Sequence, residues 1–164
     1  MTPELFAEIA LSPALGLLPM AMDRVEARAF LIAIALQESK LEARRQFGAG
    51  PARSYFQFEL GKSELHSGVT GVLEHKASKE FAHRLCLDLD IGPTAPAVYE
   101  AIEFSDVLAC GIARLSLWTL RKPLPARTMA TEAWIQYLLS WNPGKPHVET
   151  WADNWEQAWA VVTL

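Results

Sequence analysis

An unbroken apolar run from Ala29 to Leu36, leading directly into Gln37, Glu38 and Ser39, limits more than any other feature how this chain can fold. Residues three, four, seven and eight apart share a helical face, so Phe30, Leu31 and Ile34 fall on one stripe with Glu38. A helix this apolar belongs in the middle of a helical domain. It must then carry a carboxylate where it leaves the core. Asp23 stands where it could cap the helix, with Glu26 three residues on as its capping-box partner, and the helix is expected to end at Glu38 or Ser39.

Helical periodicity dominates the rest of the chain, and no segment alternates as a strand would. Residues 44–55 read as a loop with two glycines, in which Pro51 could open a short helix. Residues 61–75 read as a second loop region. Ser78 is placed to cap a helix over "KEFAHRLCLDLDI", and "GPTAP" then breaks the chain. Helices are expected over about residues 97–103 and 104–120, stopped by Pro123 and Pro125. A helix over "TMATEAWIQYLLSW", capped by Thr128 or Thr131, ends at "NPGKP", and "WADNWEQAWAVV" forms the last. With no repeat, linker or low-complexity segment, the expectation is an all-α fold with a single domain over residues 1–164.

The net charge of −4 weighs against nucleic acid or an anionic membrane as a partner. Cys86 and Cys110 lie in helix-like apolar contexts without metal-type spacing and read as small buried hydrophobes. His66, His75, His83 and His147 are too dispersed for a metal site and read as surface or capping groups; no cofactor or metal is implied. The N-terminal segment is apolar, but Glu4 and Glu8 replace the basic start of a secretion signal, and Pro13 and Pro19 interrupt it. No run of about 18 apolar residues could span a membrane. The chain is expected to be soluble, with no signal peptide.

An acid pressed against apolar side chains has its ionised form disfavoured, so it can hold a proton near neutral pH. A glycosidic oxygen needs that from a general acid. The plainer alternative is an ion pair between Glu38 and Arg44, Arg45 or Arg53. Trp151, Trp155 and Trp159 recur every four residues and read as a core face, with sugar stacking by Trp141 or Trp151 as the sharper alternative.

Three motifs in order carry a resemblance: "LQES", then "GPARSYFQ", whose Gln57 lies nineteen positions beyond Glu38, then "SWNPGKPHV". Together they resemble the lysozyme-like superfamily, in its soluble lytic transglycosylase and goose-type lysozyme branch, in a phage-type version. That family has a Glu-Ser at the end of a buried helix, a Gly-x-Ala-x-Gly-Leu-Met-Gln loop, and Ala-Tyr-Asn-Ala-Gly followed by a valine. Gly50, Ala52 and Gln57 fall in place in the loop, with Tyr55 and Phe56 for Leu-Met; Trp141 replaces the aromatic, and Asn142, Gly144 and Val148 match. Ser54 stands where the family has glycine and must avoid the conformation only glycine tolerates or bear strain, and Pro143 replaces an alanine.

The resemblance implies a central buried helix ending at Glu38 as catalytic acid, cleaving the β-1,4 bond between N-acetylmuramic acid and N-acetylglucosamine in peptidoglycan glycan strands. Ser39 would orient the acid or the acetamido group, Gln57 with the backbone of Tyr55 and Phe56 would line a cleft, and Trp141 with Asn142 would hold the N-acetyl group. The family needs one carboxylate; Glu59 is the candidate for a second. A phage or prophage origin is implied, with synthesis in the host cytoplasm or association with a virion and its proteins, and action in the periplasm or on the cell wall. The alternative is a catalytically degenerate, lysozyme-like structural or glycan-binding virion protein.

Overall fold

A computed structural model describes residues 1–163 apart from 47, 49 and 64–66. The chain starts in helix: Thr2 accepts the Leu5 amide as a cap, and Pro3 takes the first helical position, where no N–H is needed. Helix α1 (Pro3–Phe6), a π-helical turn (Ala7–Leu11) and α2 (Ser12–Gly16) bury Phe6, Ala10, Leu11, Ala14 and Leu15.

After a 3₁₀ turn (Met20–Met22) comes α3 (Val25–Ser39), in which every residue from Ala29 to Leu36 is buried. The apolar stripe is therefore a complete apolar girdle, and α3 meets solvent only near its ends. The last helix, α9 (Val148–Val162), runs along α3 and seats Trp151, Trp155 and Trp159 in the core. Phe30 meets Trp155 edge to face with centroids 5.7 Å apart. Each such aromatic contributes about 1.5–3 kcal/mol by burial. Trp151 is 3% exposed and so has no face for a sugar.

The remaining elements are α4 (Gly68–Glu74), α5 (Lys79–Asp88), α6 (Ala95–Ala101), α7 (Asp106–Thr119) and α8 (Ala130–Trp141). The fold is all-helical; among the described residues only isolated β-bridges link Arg45 to Arg53 and Arg53 to Phe58. One contiguous core joins the N-terminal helices, α3, α7 and α9. Cys86 and Cys110 are free and buried in α5 and α7. No helix among the described residues is long and apolar enough to cross a membrane.

Several local expectations need correction. Residues 68–74 are helix rather than loop, because Val69, Val72 and Leu73 place one apolar face on the core. Their neighbouring glycines serve close approach: a Cβ on Gly61 would lie 1.8 Å from the Ser67 carbonyl oxygen, and one on Gly68 2.4 Å from that of Glu59. Asp23 does not cap α3; Arg24 holds that position, and Asp23 instead takes two bonds from Arg28, at 2.6 and 2.8 Å. Met129, not a threonine, precedes α8. Ser78 does precede α5, but its hydroxyl donates to the Val72 carbonyl. Thr94 and Ser105 supply side-chain caps for α6 and α7. Pro51 opens no helix. His75 accepts the Ala77 amide, and His83 and His147 are exposed; His66 lies outside the described residues.

Glycine substitutions separate these roles. Gly61→Ala and Gly68→Ala, both at positive φ and against backbone, should each cost about 2 kcal/mol or more in urea unfolding. Gly16→Ala, helical with open space at its Cβ, should gain about 0.5 kcal/mol.

Candidate active site

The last turn of α3 sends three consecutive side chains to three separate parts of the chain. Gln37 donates to the His147 carbonyl at 2.9 Å and accepts the Thr150 hydroxyl at 3.1 Å and the Asn154 amide at 2.8 Å, fixing the start of α9. Glu38 accepts the Tyr137 hydroxyl of α8 at 2.6 Å. The Ser39 hydroxyl lies 2.8 Å from the Tyr55 carbonyl and 3.1 Å from that of Ala35, one proton serving either. It also accepts the Leu41 amide. The helix stops at Lys40, which turns left-handed at φ 53°.

Burial pushes the Glu38 carboxyl from its ordinary value near 4.5 up to about 7, and the hydrogen bond from Tyr137 pulls it part of the way back. The three arginines that could have held it ionised are engaged elsewhere. Arg44 grips Asp106 through two bonds of 2.8 and 2.7 Å, Arg45 meets Glu103 at 2.9 Å, and Arg53 meets Glu100 at 2.7 Å. Among the described residues Glu38 is in no ion pair. It remains partly exposed, so it can meet a ligand.

Tyr137 is the contributor that sequence reasoning missed. Its ring stacks on Trp151 (5.3 Å, 16°) and on Trp141 (6.3 Å, 28°). Burial, and then the neighbouring Glu38, drive its pKa far up, so it stays a donor. The available signal was its position one helical turn before Trp141, on the same face of α8.

The "GPARSYFQ" loop is built to support this site. Ser54 is fully buried and takes the left-handed conformation, φ 65°, so the serine bears the strain that glycine would avoid. Its hydroxyl accepts the Phe56 amide at 3.2 Å. Tyr55 and Phe56 are buried, and Phe6 lies 6.0 Å from each ring. Their carbonyls hold Ser39 and, through a 2.9 Å bond, the Trp141 indole. Trp141 also packs on Phe58 at 5.3 Å while staying partly exposed.

Of the residues expected at the site, Ser39 bonds Tyr55 and Trp141 bonds Phe56 directly, while Glu38 reaches Trp141 only through Tyr137. Gln57 is not joined in this way: its amide nitrogen turns back to the Ser54 carbonyl at 2.7 Å, from a backbone at φ 51°. Asn142 ends α8 in the left-handed region and is exposed. Glu59 is also exposed, with no hydrogen bond or ion pair to Glu38 among the described residues. No metal-type cluster of three His, Cys, Asp or Glu occurs among those residues. A pocket of about 820 Å³ lies between the first residues of α3 and the end of α7, and one of about 70 Å³ between α4, α7 and α8; Glu38 lines neither. Comparison of the chain with protein-family models, curated proteins and solved structures finds no match.

A carboxyl raised from 4.5 to about 7 binds more protons folded than unfolded across that window, so its contribution to stability falls as pH rises from about 4.5 and levels off above 7. Glu38→Gln keeps an acceptor for Tyr137 and removes the charge. It should therefore be near neutral in Tm at pH 4 and stabilising at pH 8, by at most about 3 kcal/mol. A loss of stability that grows with pH would mark a structural ion pair instead.

Proposed function

We propose that this is a lysozyme-like protein of the lytic transglycosylase and goose-type lysozyme branch, phage or prophage encoded, that cleaves the N-acetylmuramic acid–N-acetylglucosamine β-1,4 bond of peptidoglycan. The observation that carries the reading is Glu38: a partly exposed carboxyl at the end of a buried helix, pushed up to about 7 by burial and held by a hydroxyl rather than a cation. The three ordered motifs add to it, because the second meets the last turn of α3 through the Tyr55 carbonyl and the third through the His147 carbonyl.

In this reading protonated Glu38 gives its proton to the glycosidic oxygen as the bond from that oxygen to the muramic C1 breaks. The resulting carboxylate then takes a proton from the attacking group, either water, leaving a reducing end, or the sugar's own C6 hydroxyl, leaving an anhydro sugar. Tyr137 limits how far the acid's pKa rises and points the carboxyl. Trp141 offers an aromatic face and Asn142 an amide to the N-acetyl group. The protein would act in the periplasm or on the wall, reached at lysis or with a virion.

A second reading, a glycan-binding or virion module without turnover, is favoured by the Gln57 amide being committed to its own loop and by both pockets lying away from Glu38. Purified protein incubated with peptidoglycan separates the two, with anhydromuropeptides or reducing ends followed by mass spectrometry. Cleavage by the wild type, lost about 10²–10⁴-fold in Glu38→Gln, is the expected result. Glycan binding with no product would favour the second reading, and neither would remove both. Tyr137→Phe should move the alkaline limb of the pH–activity profile upward, because the lost hydrogen bond is the one that lowers the Glu38 pKa. An unmoved limb would take Tyr137 out of the mechanism.

A further inference from the structure

The pocket of about 820 Å³ lies at the opposite end of α3 from Glu38 and plays no part in the proposed cleavage. Its lining contains four cations, Arg24, Arg114, Arg121 and Lys122, against one carboxylate, Glu26. Arg24 already meets that carboxylate, at 3.8 Å. In a chain whose net charge is −4 this is a local reversal of sign, and a concave wall focuses such a field.

Arg121 and Lys122 follow the end of α7, where cations complement the helix dipole whatever else they do. Arg114 has no such explanation. It lies within α7, is 2% exposed, and donates through Nε to the Met22 carbonyl at 2.8 Å. Among the described residues it has no carboxylate partner, since the nearby Asp23 is taken by Arg28. Burial lowers its pKa to about 10 and the nearby Asp23 charge offsets only part of that, so the cation has lost more to desolvation than its surroundings return. One turn further on, the Trp118 ring lies 5.3 Å from its guanidinium carbon. Leu117 and Leu124 add apolar walls.

We infer that this pocket binds an amphipathic anion, a carboxylate or phosphate head held by Arg114 with Arg121 and Lys122, and an apolar body lying against Trp118 and the leucines. The volume suits a drug-sized or medium-chain molecule. An anion there would complete the solvation of Arg114 through bidentate hydrogen bonding, which guanidinium geometry favours.

Calorimetric titration of the intact chain with dodecanoate and with dodecyl phosphate, below their micelle concentrations, tests this. Dodecyltrimethylammonium serves as the same tail with the opposite charge. At least one anion should bind saturably at one site and at least tenfold more tightly than the cation; which anion does so assigns the head. The double variant Arg121→Gln/Lys122→Gln, whose side chains are exposed and need not disturb folding, should weaken it about tenfold. Trp118→Leu should do the same, and the ω-bromo analogue of whichever anion binds should quench the wild-type indole fluorescence more than that of Trp118→Leu. No binding, equal binding of the cationic amphiphile, or binding indifferent to both variants would overturn the assignment. None of these outcomes depends on glycan cleavage.

Discussion

A largely buried carboxylate at the end of a core helix is tolerated only if something other than bulk water attends to it, and here that is the Tyr137 hydroxyl at 2.6 Å. The bond ties α8 to α3, and much of the surrounding order follows from it. Tyr137 can present its hydroxyl because its ring is held between Trp151 and Trp141. Trp151 in turn is placed by α9, which Gln37 secures from the residue beside Glu38. The acid, its donor and the donor's support thus close into one loop of contacts through three helices.

Magnitudes decide how this acid behaves. A charge-assisted hydrogen bond favours the ionised form by about 1.5–3 kcal/mol, and desolvation of a largely buried carboxyl opposes it by more, since the net shift is upward to about 7. An arginine in direct contact would reverse that balance and lower the pKa by 1–3 units. Three arginines, Arg44, Arg45 and Arg53, follow Glu38 within fifteen residues, yet acids on α6 and α7 and at their junction receive them: Glu100, Glu103 and Asp106. Those pairs staple the loop to α6 and α7 while leaving Glu38 without a counterion. Their separation preserves a titratable group near neutrality.

The sequence made the central helix and its acid visible because period and composition agree over Ala29 to Leu36. It also placed the Trp151, Trp155 and Trp159 face correctly in the core. It concealed α4, because Gly68 and Gly71 look like breakers when their neighbours are unknown, and the close passage of the Glu59–Gly61 backbone is a tertiary fact. Capping was misread for Asp23 for a similar reason. A short acid beside a helix start can serve the backbone or a nearby guanidinium, and Arg28 prevails with two bonds. Tyr137 stayed hidden because its partner lies 99 residues away, a separation that local pattern does not encode. The pocket at the other end of α3 is hidden likewise: Arg24 and Lys122 come to line it together only after folding.

Backbone strain gives an independent view of where this fold departs from mere stability. Seven non-glycine residues among those described have positive φ, and five of them, Lys40, Leu41, Ser54, Gln57 and Asn142, lie on the three segments that meet around Glu38. Asparagine accepts that conformation easily at a helix end, but the other four each cost on the order of 1 kcal/mol. Glycine would avoid that cost. The strain persists because the surroundings over-determine it: the Ser39 hydroxyl receives the Leu41 amide, Gln57 and Ser54 bond one another, and the Tyr55 and Phe56 carbonyls are claimed from α3 and α8. Strain held in this way clusters at sites that bind or react. Under the proposed function, its concentration around one desolvated acid has a cause.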